Sequence, residues 1–236
     1  MLTADNFIEI PFTYDNLDRY LVRCAIKKAL DENLHRFSGK LLDVGCGKMP
    51  YKNYIKCNST ITDYVGLDIE TAIPYDVNIK PDYTWDGVSM PFEMESFDTC
   101  MATEVLEHCP APEVFLNEIF RVLKPGGVFF FTVPFLWNLH EIPHDEYRYT
   151  PFSLERHLKK SGFKHIEIKA TGGWHASMAQ MLGLWVKRSS MNSRKRNWAM
   201  KVVKPIMKKL IKMEANTPIK FQEGQMITGL YGIVRK

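Results

Sequence analysis

Seven residues, Leu41 to Gly47 (Leu-Leu-Asp-Val-Gly-Cys-Gly), restrict what this chain can fold into more than any other stretch. Apolar residues followed by an acid and two glycines describe a short buried strand ending in a turn where backbone must come close to a ligand. The spacing Gly45-x-Gly47 is the first half of a dinucleotide fingerprint, but Pro50 stands where the third glycine should fall. Proline suits the first turn of a following helix, so the turn is kept while the phosphate cradle is weakened. A second apolar segment, Tyr64 to Ile69, carries Asp68, which lies 21 residues after Gly47 at the place of a ribose-binding carboxylate.

Around this core the apolar periodicity alternates between helix and strand. Asp15 to Phe37 has helical spacing at Leu17, Tyr20, Leu21, Cys24, Ile26, Ala29 and Leu34, and predicts a helix that covers one edge of a sheet or forms a lid over the site. Glu70 to Lys80 reads as irregular. A short aromatic strand then ends at the turn dipeptide Asp86-Gly87. A strand is expected over Ser96–Thr103, and a helix from Ala111 to Leu123 stopped by Lys124-Pro-Gly-Gly127. Val128 to Val133 is continuously apolar, as in the middle of a doubly covered sheet. A helix from Thr150 to Lys160 and strands at His165–Ala170 and Met226–Val234 complete the series. With 236 residues, 45% of them hydrophobic and 25% charged, one elaborated α/β domain fits better than two domains. Neither a long apolar run nor a signal-like start is present, which predicts a soluble, cytoplasmic protein. Five cysteines, Cys24, Cys46, Cys57, Cys100 and Cys109, form no C-x-x-C pair and are expected reduced.

From about Leu41 to Pro134 the order of motifs resembles the class I S-adenosylmethionine-dependent methyltransferases. The resemblance is carried by Leu-Leu-Asp-Val-Gly-Cys-Gly47, Gly-Leu-Asp68, Met-Pro-Phe92 with Ser-Phe-Asp98, Glu-Val-Leu-Glu-His108 and Arg-Val-Leu-Lys-Pro-Gly-Gly127. It implies a Rossmann-like sheet of seven mixed strands with helices on both faces, the last strand inserted antiparallel between the fifth and sixth. It implies S-adenosyl-L-methionine as cofactor: Asp43, Gly45 and Gly47 at its methionine moiety, Asp68 on the ribose, Ile69 against the adenine, Asp86 and Gly87 at the adenine amine, and Glu104 near the amino-acid end. His108 is either a base or, more plainly, a residue that orders its loop. Cys109 lacks the second loop that covalent catalysis would need.

The segment from Pro134 to Phe152 is dense in ionisable and aromatic groups just outside the carboxyl end of a central strand, where open α/β sheets place reacting ligands. It is the expected acceptor loop, bounded at 134–152, with Trp137, Tyr147 and Arg148 as substrate contacts. A hydroxyl acceptor needs a base near neutral pH; His140 is the first choice and His144 the second, with Asp145 orienting whichever acts. The bland alternative is a loop pinned by Asp145 to Arg148 or Tyr147. His140 and His144 at a helical i, i+4 spacing suggest a metal pair, but Pro143 disfavours the helix, so no metal is expected. A similar His-x-x-Pro-x-Asp-x-x-Arg pattern occurs in the branch of the family associated with surface-polysaccharide and glycan biosynthesis.

Charge is distributed unevenly. Thr171 to Met213 contains no Asp or Glu but ten Lys and Arg, which from a total of +4 leaves the rest of the chain at −6. With Trp174, Trp185 and Trp198 among these cations, the stretch reads as a solvated helical cap, a membrane-surface segment or, last in order, a nucleic-acid contact. The organisation expected is an N-terminal helical cap (1–38), a cofactor-binding core (39–170), a basic helical insertion (171–223) and a final strand (224–236). The expected activity is methylation of a sugar or other small-molecule hydroxyl, on a lipid-linked or surface-glycan intermediate if the insertion (171–213) meets the inner face of a membrane. The alternatives are a non-carbohydrate or nucleic-acid acceptor, or a non-catalytic cofactor-binding subunit.

Overall fold

Strand β1 (Ser38–Val44) carries the Leu-Leu-Asp stretch and pairs in parallel on both sides, with β2 (Thr60–Ile69) and with β4 (Phe97–Thr103). β3 (Tyr83–Trp85) extends the sheet beyond β2, and β5 (Leu123–Pro134) beyond β4. β6 (Lys164–Ala170) closes the far side, and β7 (Gly229–Arg235) runs antiparallel between β5 and β6, giving the order β3-β2-β1-β4-β5-β7-β6. This is the seven-stranded mixed sheet that the motif order implies. The computed structural model describes residues 7–70, 80–214 and 219–236; most of the expected irregular stretch between Glu70 and Lys80 lies outside them.

The central strands bury mainly apolar side chains because both faces are covered. Along β5, Phe129 and Phe131 point into one core with α3 (Pro112–Val122) and α4 (Pro151–Lys160), while Phe130 points into the other with α1 (Tyr20–Asn33) and α2 (Lys52–Asn58). The alternation is the two-residue repeat of a strand. Thr150 caps α4 with a reciprocal capping box through Ser153.

Two expectations about local structure are corrected. The leading helix begins at Tyr20, not Asp15, and covers a face of the sheet instead of an edge: Ile26, Ala29 and Leu30 pack on Leu41, Met101, Phe130 and Ile233. Before it, a 3-10 turn (Tyr14–Asn16) is held by the Asn16 amide on the Pro11 carbonyl at 3.2 Å, and Leu17 turns into a different cluster. Lys124-Pro-Gly-Gly127 does not separate helix from strand. β5 starts at Leu123, paired with Phe97, and the pairing resumes at Val128 with Thr99, so the Pro-Gly-Gly residues form a bulge within the strand.

The basic stretch is helical, as expected: α5 (Trp174–Arg188) and α6 (Ser193–Met213) pack together around Ala179, Val186, Ala199, Val203 and Met207. Asn192 caps α6 by accepting from the Lys195 N–H at 2.9 Å, and the Glu214 carboxylate accepts from Gly173 and Ala176 N–H, each at 2.7 Å, at the start of α5. Leu17 joins this core. Gly183 lies so close to it that a Cβ there would stand 2.1 Å from the Leu17 carbonyl oxygen. Arg188 donates to Asp18 at 2.7 Å and Gln180 to the Asp18 carbonyl at 2.9 Å, tying the insertion to the segment that precedes α1. Among the described residues no helix is long and apolar enough to cross a membrane.

Candidate active site

The sheet reverses its winding at β1, with β2 and β3 laid to one side and β4 onward to the other, which opens a crevice beyond the carboxyl ends of β1 and β4. The glycine turn after β1 forms its floor. Gly45 and Gly47 both have positive φ, and a Cβ on Gly45 would come 2.5 Å from Val105, so glycine is required there on two counts. Gly45 and Cys46 donate their N–H groups to the Leu67 carbonyl, at 2.9 and 3.1 Å, and Gly47 donates to the Asp68 carboxylate at 2.8 Å. Asp68 also accepts from the Ile69 N–H at 2.9 Å, so two backbone donors hold it at the end of β2 beside Ile69, which is 41% exposed.

Asp43 is buried and accepts from the Tyr64 hydroxyl at 2.6 Å; burial pushes its carboxyl up to about 7, the Tyr64 hydrogen bond pulls the other way, and the charge of Asp68 adds to the rise. Burial likewise raises Asp68, which also feels the charge of Glu141 from the loop after β5. Glu104 follows β4 in a left-handed backbone conformation, accepts from the Thr132 hydroxyl at 2.8 Å, and is raised by burial as well. Three desolvated acids at the ends of adjacent strands make a pocket suited to a cationic ligand bearing hydroxyl and amino donors. The sulfonium, ammonium and ribose hydroxyls of S-adenosylmethionine match that donor set. Asp86 stands one residue beyond Trp85, the partner of Ile69, and its exposed carboxylate accepts from Val88 and Ser89 N–H at 2.8 and 2.9 Å, with Gly87 at positive φ in the same turn.

The loop from 134 to 152 lies across the neighbouring strand ends. Trp137 lines a cavity with Glu104, Thr132, Val22 and Gln180, so both α1 and α5 wall the site. Asp145 holds Arg148 through both oxygens, at 2.6 and 2.8 Å, and accepts from the His140 N–H at 3.2 Å. Arg148 holds Asp145 down to about 2. Its guanidinium also donates to the Tyr147 carbonyl at 2.8 Å, so its immediate work is to shape the loop. Tyr147 donates to the Pro110 carbonyl at 3.2 Å and stacks on Tyr149, on the side of the loop that faces the turn after β4. His144 exposes its side chain, and it is its carbonyl oxygen that accepts from His108 Nδ1, at 2.9 Å. His140 is half-buried, with Nδ1 3.3 Å from Asp145 Oδ2, and burial keeps its pKa below the ordinary histidine value against the opposing pull of Asp145.

Two groups at this site are absent from the sequence-derived set. Glu107 is fully buried with neither carboxylate oxygen hydrogen-bonded, while its backbone carbonyl accepts from Glu146 and Tyr147 N–H at 2.9 and 3.1 Å. Gln180 reaches in from α5 of the insertion, ten residues beyond the end of β6, and no local pattern marks it. For Glu107 a signal did exist: in Glu104-Val-Leu-Glu-His108 a second acid and a histidine follow the first, and a single 3-10 turn (Leu106–His108) folds them back into the crevice. Cys109, held at about 12 by burial, is a thiol at neutral pH and not a ready nucleophile.

Residues 42–131 match a family model described as a methyltransferase domain. A sterol 24-C-methyltransferase of Debaryomyces hansenii is 35% identical over 141 residues, covering 56% of this chain and 36% of that protein. A fatty-acid O-methyltransferase of Mycolicibacterium smegmatis is 27% identical over 124 residues, covering 50% of this chain and 44% of the relative. The chain thus spans less than half the length of these curated relatives. Among solved structures, an S-adenosylmethionine-dependent methyltransferase from Archaeoglobus fulgidus superposes with a TM-score of 0.56 over 94% of this chain and 98% of its own, at 16% identity, a likeness of fold.

Proposed function

We propose that this chain, whose residues 42–131 match a methyltransferase-domain model and whose fold is shared with solved S-adenosylmethionine-dependent methyltransferases, is a class I methyltransferase that methylates a hydroxyl of a sugar or another small molecule presented at a membrane surface. The observation that carries the reading is the meeting of two chemistries at one crevice. Carboxylates suited to a cationic cofactor (Asp43, Asp68, Glu104) adjoin a loop whose histidines and acids (His140, Asp145, with Glu107 and His108 beneath) suit an acceptor that must lose a proton. S-adenosylmethionine, when bound, supplies an electrophilic methyl group on a sulfonium whose departure as a neutral thioether needs no acid.

The chain's own residues then have three tasks. Asp68 and the Gly47 turn fix the cofactor's ribose end; Glu104, anchored by Thr132, offers a carboxylate near its amino-acid end; the loop positions the acceptor and takes its proton. Positioning and exclusion of water supply much of such a rate, because the two reactants need only be held in line. A hydroxyl is a weak nucleophile at neutral pH, and an imidazole kept neutral by burial, as His140 is, suits proton removal. Asp145 orients it.

Support for a membrane-presented acceptor comes from the insertion. α5 exposes Trp174, Met178, Met181 and Trp185, and α6 exposes Trp198, Val202, Ile206 and Met213, amid the ten cations of the stretch. Aromatic and aliphatic side chains interleaved with lysine suit an anionic lipid interface. The names of the relatives, one acting on a sterol and one on a fatty acid, agree with an amphiphilic acceptor and favour, as a second reading, transfer to carbon or carboxylate of a lipid.

Methyl-labelled S-adenosylmethionine added with the protein to fractionated membranes and cytosol tests this. Label in a glycolipid, stable to mild alkali, is the expected result. Alkali-labile label in fatty acids or label in neutral sterols supports the second reading, and label in RNA overturns both.

A further inference from the structure

We propose that Glu107, His108 and His140 form a binding site for one divalent cation of the Zn2+ class at the base of the acceptor loop. One donor atom from each of the three lies within 4.8 Å of the other two, although the residues come from the turn after β4 and the loop after β5.

Glu107 is the reason a ligand is needed. Its side chain is fully buried, and neither oxygen meets a hydrogen-bond donor among the described residues. A protonated Glu107 finds no acceptor within hydrogen-bond distance among the described residues, the nearest ring nitrogen, His108 Nε2, standing 3.7 Å from Oε1. An unpaired buried carboxylate is rare in folded proteins because nothing replaces the water it gave up. The adjacent guanidinium, Arg148, is already engaged by both oxygens of Asp145.

The histidines are prepared for a metal in the way ligating imidazoles usually are. His108 uses Nδ1 on the His144 carbonyl at 2.9 Å, which fixes the proton on that nitrogen and leaves the Nε2 lone pair free. That Nε2 stands 3.7 Å from Glu107 Oε1 and 3.7 Å from Glu141 Oε2. Donors bound to one Zn2+ at roughly 2.1 Å lie about 3.4 Å apart in a tetrahedron, so small side-chain rotations suffice. A plain ion pair between His108 and Glu107 explains less, because it leaves both carboxylate oxygens without a hydrogen bond and gives His140 no part. His140 stacks edge-on at 4.8 Å from the His108 ring; its Nδ1 lies 3.3 Å from Asp145 Oδ2 without hydrogen-bond geometry, a second buried polar atom here that lacks a partner among the described residues. Two imidazoles and a carboxylate select borderline metals over Mg2+ or Ca2+.

That the cation also holds the acceptor oxygen and makes it more acidic rests on the methyl-transfer reading above, and His140 then acts as a ligand, not as a free base. The binding site itself does not depend on that reading. The experiment uses the full chain, stripped with a chelator and dialysed. Zn2+ is titrated by calorimetry and Co2+ by its visible absorption. Near one equivalent is expected in the wild type, with at least tenfold weaker binding in Glu107→Gln and in His140→Ala. Thermal unfolding and S-adenosylmethionine affinity, measured on the same samples, report that each variant is folded. Cofactor binding with no uptake of either metal overturns the site and spares the methyltransferase reading. Metal uptake without cofactor binding does the reverse. Uptake undiminished in the Glu107→Gln, His140→Ala double variant overturns the assignment of ligands.

Discussion

Asp68 carries two loads at once. It closes the glycine turn through the Gly47 N–H and is the acceptor proposed for the ribose hydroxyls. Asp68→Ala is expected to weaken S-adenosylmethionine binding by about 1.5–3 kcal/mol, roughly ten- to a hundredfold, in a calorimetric titration. Unchanged affinity would contradict the ribose assignment. Asp43 presents a pH problem instead. Its carboxyl is raised from 3.8 to about 7, so the folded state holds its proton more tightly than the unfolded chain does. The resulting stabilisation is complete below the unfolded value near 4 and is lost as pH rises through about 7. Asp43→Asn, which keeps an acceptor for Tyr64, should therefore leave the melting temperature nearly unchanged at pH 4 and raise it at pH 8. The ceiling on that gain is about 4 kcal/mol. A variant that loses stability equally at both pH values would show that Asp43 is not the group responsible.

At the scale of elements, the α5–α6 insertion meets the segment before α1 in close packing at Leu17. Gly183 sits against the Leu17 carbonyl with no room for a methyl group, and the Arg188 and Gln180 bonds to Asp18 lie on either side of it. Gly183→Ala should cost about 1–3 kcal/mol in urea unfolding, since backbone cannot give way as a flexible side chain would. The higher helix propensity of alanine works against this and sets a lower bound. If packing alone were immaterial, the variant would be more stable by up to ~1 kcal/mol. Because α5 also walls the cavity beside Glu104 and Trp137, the same substitution should reduce methyl transfer more than cofactor binding.

For the whole molecule, the separation of charge is what the proposed membrane-surface role rests on. On that proposal, ten cations in one helical pair against a net −6 elsewhere orient the molecule toward an anionic surface, and the exposed tryptophans of α5 and α6 insert into it. Flotation with vesicles containing phosphatidylserine should bring the protein up at low salt and release much of it at 0.5 M salt, each basic side chain near the surface contributing about 1 kcal/mol. Trp185→Ser with Trp198→Ser should weaken the salt-resistant part. Binding neither at low salt nor with excess anionic lipid would remove the membrane from the proposed function and leave the crevice chemistry in place.

The sequence by itself determined the sheet. Its evidence is local: strand and helix periods, the Gly45-x-Gly47 turn, Asp68 at a fixed distance, and the apolar run in β5 are each written within a few residues, and local rules of backbone and burial suffice to read them. That Asp43, Gly45, Gly47 and Asp68 lie together was legible for the same reason, since they are contributed by two adjacent parallel strands whose ends must meet. The acceptor side was decided by tertiary structure. His140 and Asp145 were visible as chemistry, but their neighbours Glu107 and His108 come from a turn some 30 residues earlier, and Gln180, which lines the cavity beside Glu104 and Trp137, comes from a helix of the insertion. The leading helix was legible as amphipathic, yet which surface its stripe meets depended on how the chain folds over β1, β4, β5 and β7. Whether a buried acid has a partner is a property of all the elements packed around it, and no stretch of sequence contains that information.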